Sequence, residues 1–330
     1  MPKPEPDGGS DSIASPDASA TLPFLAGVNL SCAEFGSALP GTYDKDYTYP
    51  TQAEVGYFVG KGMKVFRLPF RWERLQQQKK AALDKTELSR IDAFIAGATG
   101  KGAYVVLDPH NYARYNGQII GQASVSKADF ADLWSKLAAH FKSNPLVIFG
   151  VMNEPHDMGT ELWRDDANAA IQAIRAAGAM NLILVPGNGW TGAHSWDSTY
   201  YGTANAVAML TIVDPGNNYA FEVHQYLDSD SSGTSASCVS AQVGVDRLKG
   251  FTAWLKQHGA RGFLGEFGCA ASSTCLQAVD NMLGHIDANR QHWIGWTWWA
   301  AGPWWGDYMF SIEPKNGKDA AQLSTLLNHL

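Results

Sequence analysis

Charge is scarce in this 330-residue chain: 17% of residues are Asp, Glu, Lys or Arg, and the acids outnumber the bases to leave a net charge of −7. No run of Lys or Arg is long enough to track a phosphate backbone, so nucleic acid is not an expected partner. Long apolar runs are missing too. The richest stretch, "WIGWTWWAAGPWW", falls short of the roughly 18 residues that cross a bilayer and is interrupted by Gly302 and Pro303, so no membrane partner is expected. No glycine-rich fingerprint follows the first apolar run, which argues against a dinucleotide fold. There is no HExxH, and the nine histidines are scattered, so neither a metal nor a cofactor is expected. Cysteine is limited to Cys32, Cys238, Cys269 and Cys275, without CxxC or zinc-ligand spacing. They are either isolated buried thiols or one or two disulfides of a secreted protein. Cys238 lies in the polar loop "SDSSGTSASC", and closing a loop from it to Cys275 would stabilise by about 3 to 4 kcal/mol.

Aromatic and apolar material, in contrast, is abundant: 45% of residues are hydrophobic and 12 are tryptophan. Residues 1–20, rich in Pro, Ser, Asp and Gly, cannot bury enough surface to order themselves and read as a linker remnant. They hold no apolar h-region, so secretion would call for a signal peptide removed earlier. From residue 21 to 330 a single domain is expected. Its apolar runs "FLAGVNL", "KVFRLPF", "AYVVLDPH", "VIFGVMNEP", "LILVPGN", "YAFEVHQY", "GFLGEFG" and "WIGWTWWAA" read as eight strands. Amphipathic stretches separate them. In "SKADFADLWSKLAAHFKSNP" the apolar residues recur at helical spacing, with Ser126 as N-cap and Asn144-Pro145 as the stop. Eight alternations of nearly continuous apolar strand and helix predict an α/β fold, a closed (β/α)₈ TIM barrel.

Polar residues stand at the ends of these runs: Arg67 in the second, His110 in the third, Asn153 and Glu154 in the fourth, His224 and Tyr226 in the sixth, Glu266 in the seventh, Trp298 and Trp299 in the eighth. Parallel barrel strands bring their C-terminal ends to one rim, where barrel enzymes keep their active sites. Two glutamates carried there by separate apolar strands are costly to bury without purpose. Glycoside hydrolysis needs such a pair, one to protonate the leaving oxygen and one to attack or to activate water. Glu154, beside neutral Asn153 and followed by Pro155, is expected to be desolvated and to serve as the acid; Glu266 is expected to stay ionised beside Arg67 and Tyr226. Flat rings suit pyranose faces, and "WTWWAAGPWW" holds five tryptophans in ten residues. Trp190, together with Trp304 or Trp305, would extend such a platform.

The motifs "VMNEPHD" and "LGEFG", with "FRLPF", "DPHNY", "HQY" and "GWTWWAAGPWWGDY", resemble glycoside hydrolase family 5 and, within it, fungal-type and related bacterial endo-β-1,4-glucanases. The resemblance runs from about Gly27 to near the C-terminus in conserved motif order. It implies a retaining mechanism with Glu154 as acid/base and Glu266 as nucleophile. Arg67, His110, Asn153, His224, Tyr226 and Trp299 would line the subsite of the reacting sugar. The implied partner is a β-glucan polysaccharide, handled by a secreted monomer once linked to a carbohydrate-binding module. A β-mannanase or xyloglucanase on the same barrel is the alternative enzyme, and a carbohydrate-binding barrel without catalysis the alternative of another class. Cys32, in "NLSCAEFG", replaces the small residue the family leads one to expect there, and suggests an extra bridge from Cys32 to Cys269.

Overall fold

The computed structural model describes residues 22–330; the expected linker, residues 1–20, lies outside the described residues. Eight parallel strands close in the order β1-β10-β9-β8-β7-β6-β3-β2. They are β1 (Leu25–Leu30), β2 (Val65–Phe70), β3 (Tyr104–Pro109), β6 (Val147–Gly150), β7 (Ile183–Pro186), β8 (Tyr219–His224), β9 (Gly262–Glu266) and β10 (Trp293–Ala301). The eight apolar runs of the sequence are these eight strands. A small antiparallel hairpin, β4 (Arg114–Tyr115) and β5 (Gln118–Ile119), lies outside the barrel. Its turn is Asn116-Gly117, both at positive φ, the conformation that a two-residue hairpin turn demands.

Helices cover the outside. The helix Lys127–Phe141 begins at Ser126, whose hydroxyl accepts from the Asp129 amide while Asp129 reaches back to Ser126, a complete capping box. Its apolar stripe, including Phe130, Leu133, Trp134 and Phe141, is buried against the barrel. The strand side chains alternate between this outer core and the interior.

That interior is layered. Its floor is a separate apolar cluster of Leu25, Val65, Val106, Ile148, Leu182, Leu184, Ala220 and Phe263. Two residues further along the strands the same inward face becomes polar: Val65 is followed by Arg67, Val106 by Asp108, Ala220 by Glu222. Another step of two brings His110 and His224 to the rim. Gly265 follows Phe263 at the polar level, where a methyl group would lie 2.1 Å from Glu222 Oε1. Strict alternation would then turn Glu266 outward. The pairing of β8 with β9 shifts register between Val223 and His224, and this irregularity turns Glu266 into the barrel mouth.

Cysteine pairing agrees with the sequence at one place and corrects it at another. Cys238 and Cys275 form a disulfide. Cys32 and Cys269 are both buried free thiols, and no bridge joins them. The reason is topological: Cys32 follows β1 and Cys269 follows β9, and β10 runs between those strands. Two inter-strand spacings of about 4.8 Å exceed the Cα separation a disulfide spans.

Candidate active site

Arg67, fully buried, is the hub of the barrel mouth. Its Nη1 donates to Glu266 Oε1 at 2.8 Å and to Asn29 Oδ1 at 3.0 Å, and its Nη2 donates to Asn153 Oδ1 at 2.8 Å. Asp108 Oδ2 lies 3.1 Å from Nη2, and Glu222 Oε1 lies 3.0 Å from Nε. The Nε contact is an ion pair rather than an aligned hydrogen bond. Burial alone would lower the pKa of this guanidinium; Asp108, Glu222 and Glu266 outweigh it and push the value up, so the charge is permanent.

Glu266 is held from two sides, because Tyr226 donates its hydroxyl to Oε2 at 2.9 Å while Arg67 occupies Oε1. Burial and the nearby Glu266 and Glu154 raise the Tyr226 pKa well above the ordinary tyrosine value, so the phenol remains a donor. Both expected partners of Glu266 are therefore in contact with it.

Glu154 is placed differently. The strand β6 stops at Gly150, and Glu154 sits in the following turn with φ +39°, a left-handed conformation sparsely occupied by residues with a Cβ. Asn153 N–H bonds to the Pro109 carbonyl, and the Pro155 carbonyl accepts from Trp190 N–H at 3.0 Å. The turn after β6 is thereby tied to the end of β3 and to the loop after β7. The expected desolvation of Glu154 is incomplete, since its side chain keeps 15% of its surface exposed. What the sequence did not suggest is its direct partner: His224 Nδ1 lies 2.7 Å from Glu154 Oε1. One carboxylate oxygen from each glutamate and a ring nitrogen of His224 all fall within 4.8 Å of one another.

His224 faces acids on both edges, with Glu222 Oε1 3.3 Å from Nε2 and Glu266 Oε2 3.6 Å from Nδ1. Burial lowers its pKa, but Glu266, Glu154 and Glu222 together push it up to about 10. His110 is held otherwise. Its Nδ1 is 2.8 Å from Asp108 Oδ2, and its Nε2 is 3.1 Å from Asn153 Nδ2. Burial lowers its pKa and Asp108, Glu266 and Glu34 raise it, with a net upward push. The donors nonetheless leave no place for a second ring proton. Asn153 Oδ1 is claimed by Arg67, so its amide must donate to Nε2, and His110 is the neutral tautomer carrying its proton toward Asp108.

Aromatic rings flank this centre on both sides. Trp299 stacks on His110 with centroids 5.4 Å apart and an angle of 18°, and Trp305 packs edge-on against Trp299, Phe35 closing behind it. Trp298 points into the core and donates to the Phe310 carbonyl. Of the two neighbours named from sequence, Trp305 joins this wall; Trp304 is 38% exposed and pairs with no other ring among the described residues. Across the centre, Trp190 is 45% exposed and stacks on His156 at 4.4 Å and 8°. It borders a cavity of about 730 Å³ that opens at Glu154, His224 and Tyr226 and reaches Tyr200, Tyr201 and Ser231.

Asp108, Glu222, Asn29 and His156 were not foreseen. A signal existed for the first two: each lies two residues before a rim histidine, in "DPH" and "EVH", and hence on the same inward face.

A family model described as cellulase, glycosyl hydrolase family 5, matches residues 26–302. Endoglucanase 3 of Humicola insolens is 47% identical over 304 residues, 91% of this chain and 76% of that protein. Endo-beta-1,4-glucanase B of Aspergillus niger is 42% identical over 292 residues, 88% of this chain and 85% of that protein. Among solved structures, an endo-beta-1,4-glucanase from Xanthomonas axonopodis pv. citri is similar at TM-score 0.91 and 52% identity, covering 92% of this chain and 98% of that one. XacCel5A in complex with cellopentaose is similar at TM-score 0.92 and 48% identity, covering 94% and 100%.

Proposed function

This chain belongs to glycosyl hydrolase family 5 and is a retaining endo-β-1,4-glucanase, and we propose that Glu154 is its general acid/base and Glu266 its nucleophile. The observation that carries this division is the unequal tethering of two carboxylates with oxygens within 4.8 Å of each other. Glu266 has both oxygens fixed, by Arg67 and by Tyr226, as a group must that attacks along one line. Glu154 has one oxygen on His224 and retains exposure on the side of the open cavity, where a leaving group departs.

In the first step a Glu266 oxygen bonds to the anomeric carbon, the glycosidic C–O bond breaks, and the Glu154 proton passes to the leaving oxygen. In the second, water gives its proton to Glu154 while its oxygen displaces Glu266, so two inversions restore the β configuration. Asn153, its carbonyl oxygen held by Arg67 and its amide by His110, has its second amide hydrogen free for the sugar 2-hydroxyl. Trp299 and Trp305 would carry the glycone side of the chain, and Trp190 the leaving-group side. The β-mannanase, xyloglucanase and non-catalytic alternatives are not favoured beside relatives named endoglucanases.

No helix among the described residues is long and apolar enough to cross a membrane. The disulfide Cys238–Cys275 favours an oxidising, extracellular setting. The chain would act there as a monomer on β-glucan polysaccharide, because one barrel supplies every group the reaction uses. The composition of residues 1–20 suits a linker to a carbohydrate-binding module.

Glu154→Gln should lower kcat/KM on soluble β-glucan by about 10²- to 10⁴-fold, yet spare kcat/KM on aryl cellobiosides whose leaving group needs no proton, with the glycosyl-enzyme accumulating because its hydrolysis has lost the base. Glu266→Gln should abolish both. Equal losses of kcat/KM on both substrates in Glu154→Gln would exchange or void the assignment.

A further inference from the structure

Glu222 stands beneath the reacting groups and is 1% exposed. Its Oε1 contacts Arg67 Nε at 3.0 Å and His224 Nε2 at 3.3 Å, while Oε2 has no hydrogen-bond partner among the described residues. The barrel is cut away to admit it at Gly265, where a Cβ would lie 2.1 Å from its Oε1. The other acids of the centre have their own partners. Asp108 serves Arg67 and His110, Glu266 serves Arg67 and Tyr226, and Glu154 meets His224.

We propose that Glu222 is a positioning residue of the reaction: a fixed anion that keeps His224 doubly protonated, so that His224 Nδ1–H stays aimed at Glu154 through turnover. The inference rests on the reading of Glu154 as acid/base. An imidazole with one proton can satisfy one edge only. If that proton faces Glu222, the bare Nδ1 confronts Glu154 Oε1 at 2.7 Å, and Glu154 must turn its own proton toward the histidine to relieve the repulsion. The acid would then point away from the leaving oxygen. With both ring nitrogens protonated, Nδ1–H satisfies Oε1, and the proton of Glu154 is free to reside on Oε2, facing the cavity.

The groups around His224 favour this state from every side. Glu154 comes from the turn after β6, Glu266 from β9, and Glu222 from its own strand. Arg67 is kept off the ring by Glu222 itself, and Tyr226 is committed to Glu266. Of the three acids, Glu266 and Glu154 both change charge or protonation during the cycle, the first on esterification and the second on proton transfer. Glu222 alone remains an anion throughout. No other carboxylate lies within ion-pair distance of Nε2 among the described residues.

The test is a titration of the His224 ring nitrogens by ¹⁵N NMR between pH 5 and 10, in the wild type and in Glu222→Gln, beside the pH dependence of kcat and KM on cellopentaose. The wild-type ring should stay doubly protonated beyond pH 8. In Glu222→Gln it should lose a proton at least about one pH unit lower, and the alkaline limb of kcat should move with it, roughly a tenfold loss on that limb per unit. KM should stay within about twofold, because Glu222 does not reach the sugar. Glu222→Asp, which keeps the charge, should restore the alkaline limb even if kcat stays low. A purely structural residue would scale kcat without moving the limb. A Glu222→Gln profile that superposes on the wild type after scaling would overturn the proposal, as would a singly protonated His224 in the wild type at pH 7. The second result needs no variant to fold. Full activity of Glu154→Gln would sink the acid/base reading instead, and would leave the titration of His224 as it is.

Discussion

Removing the Cys238–Cys275 bridge should cost stability without costing chemistry. Cys238 lies in the segment between β8 and the helix Val243–His258, and Cys275 sits in the first turn of the helix Ser273–Asp287. The bridge closes a loop with a sequence separation of 37. In the chain-entropy treatment such a loop restricts the unfolded chain by about 13 cal/mol/K, or about 4 kcal/mol at 25 °C. A chain of this length unfolds with an entropy of roughly 0.7 kcal/mol/K, so the melting temperature should fall by roughly 6 °C. The perturbation must be double, Cys238→Ser with Cys275→Ser, because the Cys269 thiol lies within 4.8 Å of both sulfurs and could capture a single unpaired partner. The segment has a second anchor: the Asp228 carboxylate accepts the amides of Gly233, Thr234 and Ser235, and Arg247 holds the Tyr226 carbonyl. Activity at 25 °C should therefore remain within about twofold of wild type. Calorimetry of the double variant, with assays on soluble β-glucan, checks both halves. A melting temperature within about 1 °C of wild type would refute the entropy reasoning, and collapse of activity at 25 °C would refute the second anchor.

Asp166 is fully buried, both its oxygens lack hydrogen-bond partners among the described residues, and burial pushes its pKa up to about 7. An acid raised in the folded state supports folding fully below its ordinary range near 4 and loses that contribution as pH rises toward 7. Asp166→Asn should therefore stabilise the fold at pH 8 by on the order of 1 to 3 kcal/mol, seen as a higher melting temperature, and not at pH 4. Thermal scans at the two pH values decide this, and an equal gain at both would count against it. Trp190→Ala removes the exposed face of a stacked ring and should raise KM for cellopentaose by roughly 5- to 30-fold, about 1 to 2 kcal/mol, with kcat nearly kept. An unchanged KM would take Trp190 out of the binding surface. Gly265→Ala forces a methyl against the Glu222 carboxylate and should cost about 1 to 3 kcal/mol in denaturant unfolding, with a loss of kcat. A stable and fully active variant would show that Glu222 can move freely.

The strands were legible in the sequence because each is an apolar run long enough to be buried on both faces, and the rim residues were legible because polarity appears abruptly where those runs stop. Asp108 and Glu222 were less so. Both lie inside a run, where a single acid looks like an interruption, and only their spacing of two from His110 and His224 betrays the inward face. The hairpin at Arg114–Ile119 had its signal in Asn116-Gly117, but strands of two residues carry no hydrophobic period of their own. Glu266 lies on the face that alternation would turn outward, and only the register shift against β8 brings it in. The Cys32–Cys269 pairing was excluded by the predicted barrel itself, whose closure sets the eighth strand between the first and the seventh; the residue spacing alone does not show that obstacle. The choice between Trp304 and Trp305 depended on loop geometry, which composition does not encode.

Arg67, Asp108, Glu222, His224 and Glu266 are strand residues, whereas Trp190, Trp305 and the walls of the open cavity hang on the connecting segments. Apart from Glu154 and Asn153, which the turn after β6 carries, bond-breaking power is thus stored in the frame and choice of polymer in its trimmings. Exchanging the segments after β7 and β10 should retune which glycan is accepted while leaving the reaction intact, so a library confined to those two stretches is where altered specificity should be sought.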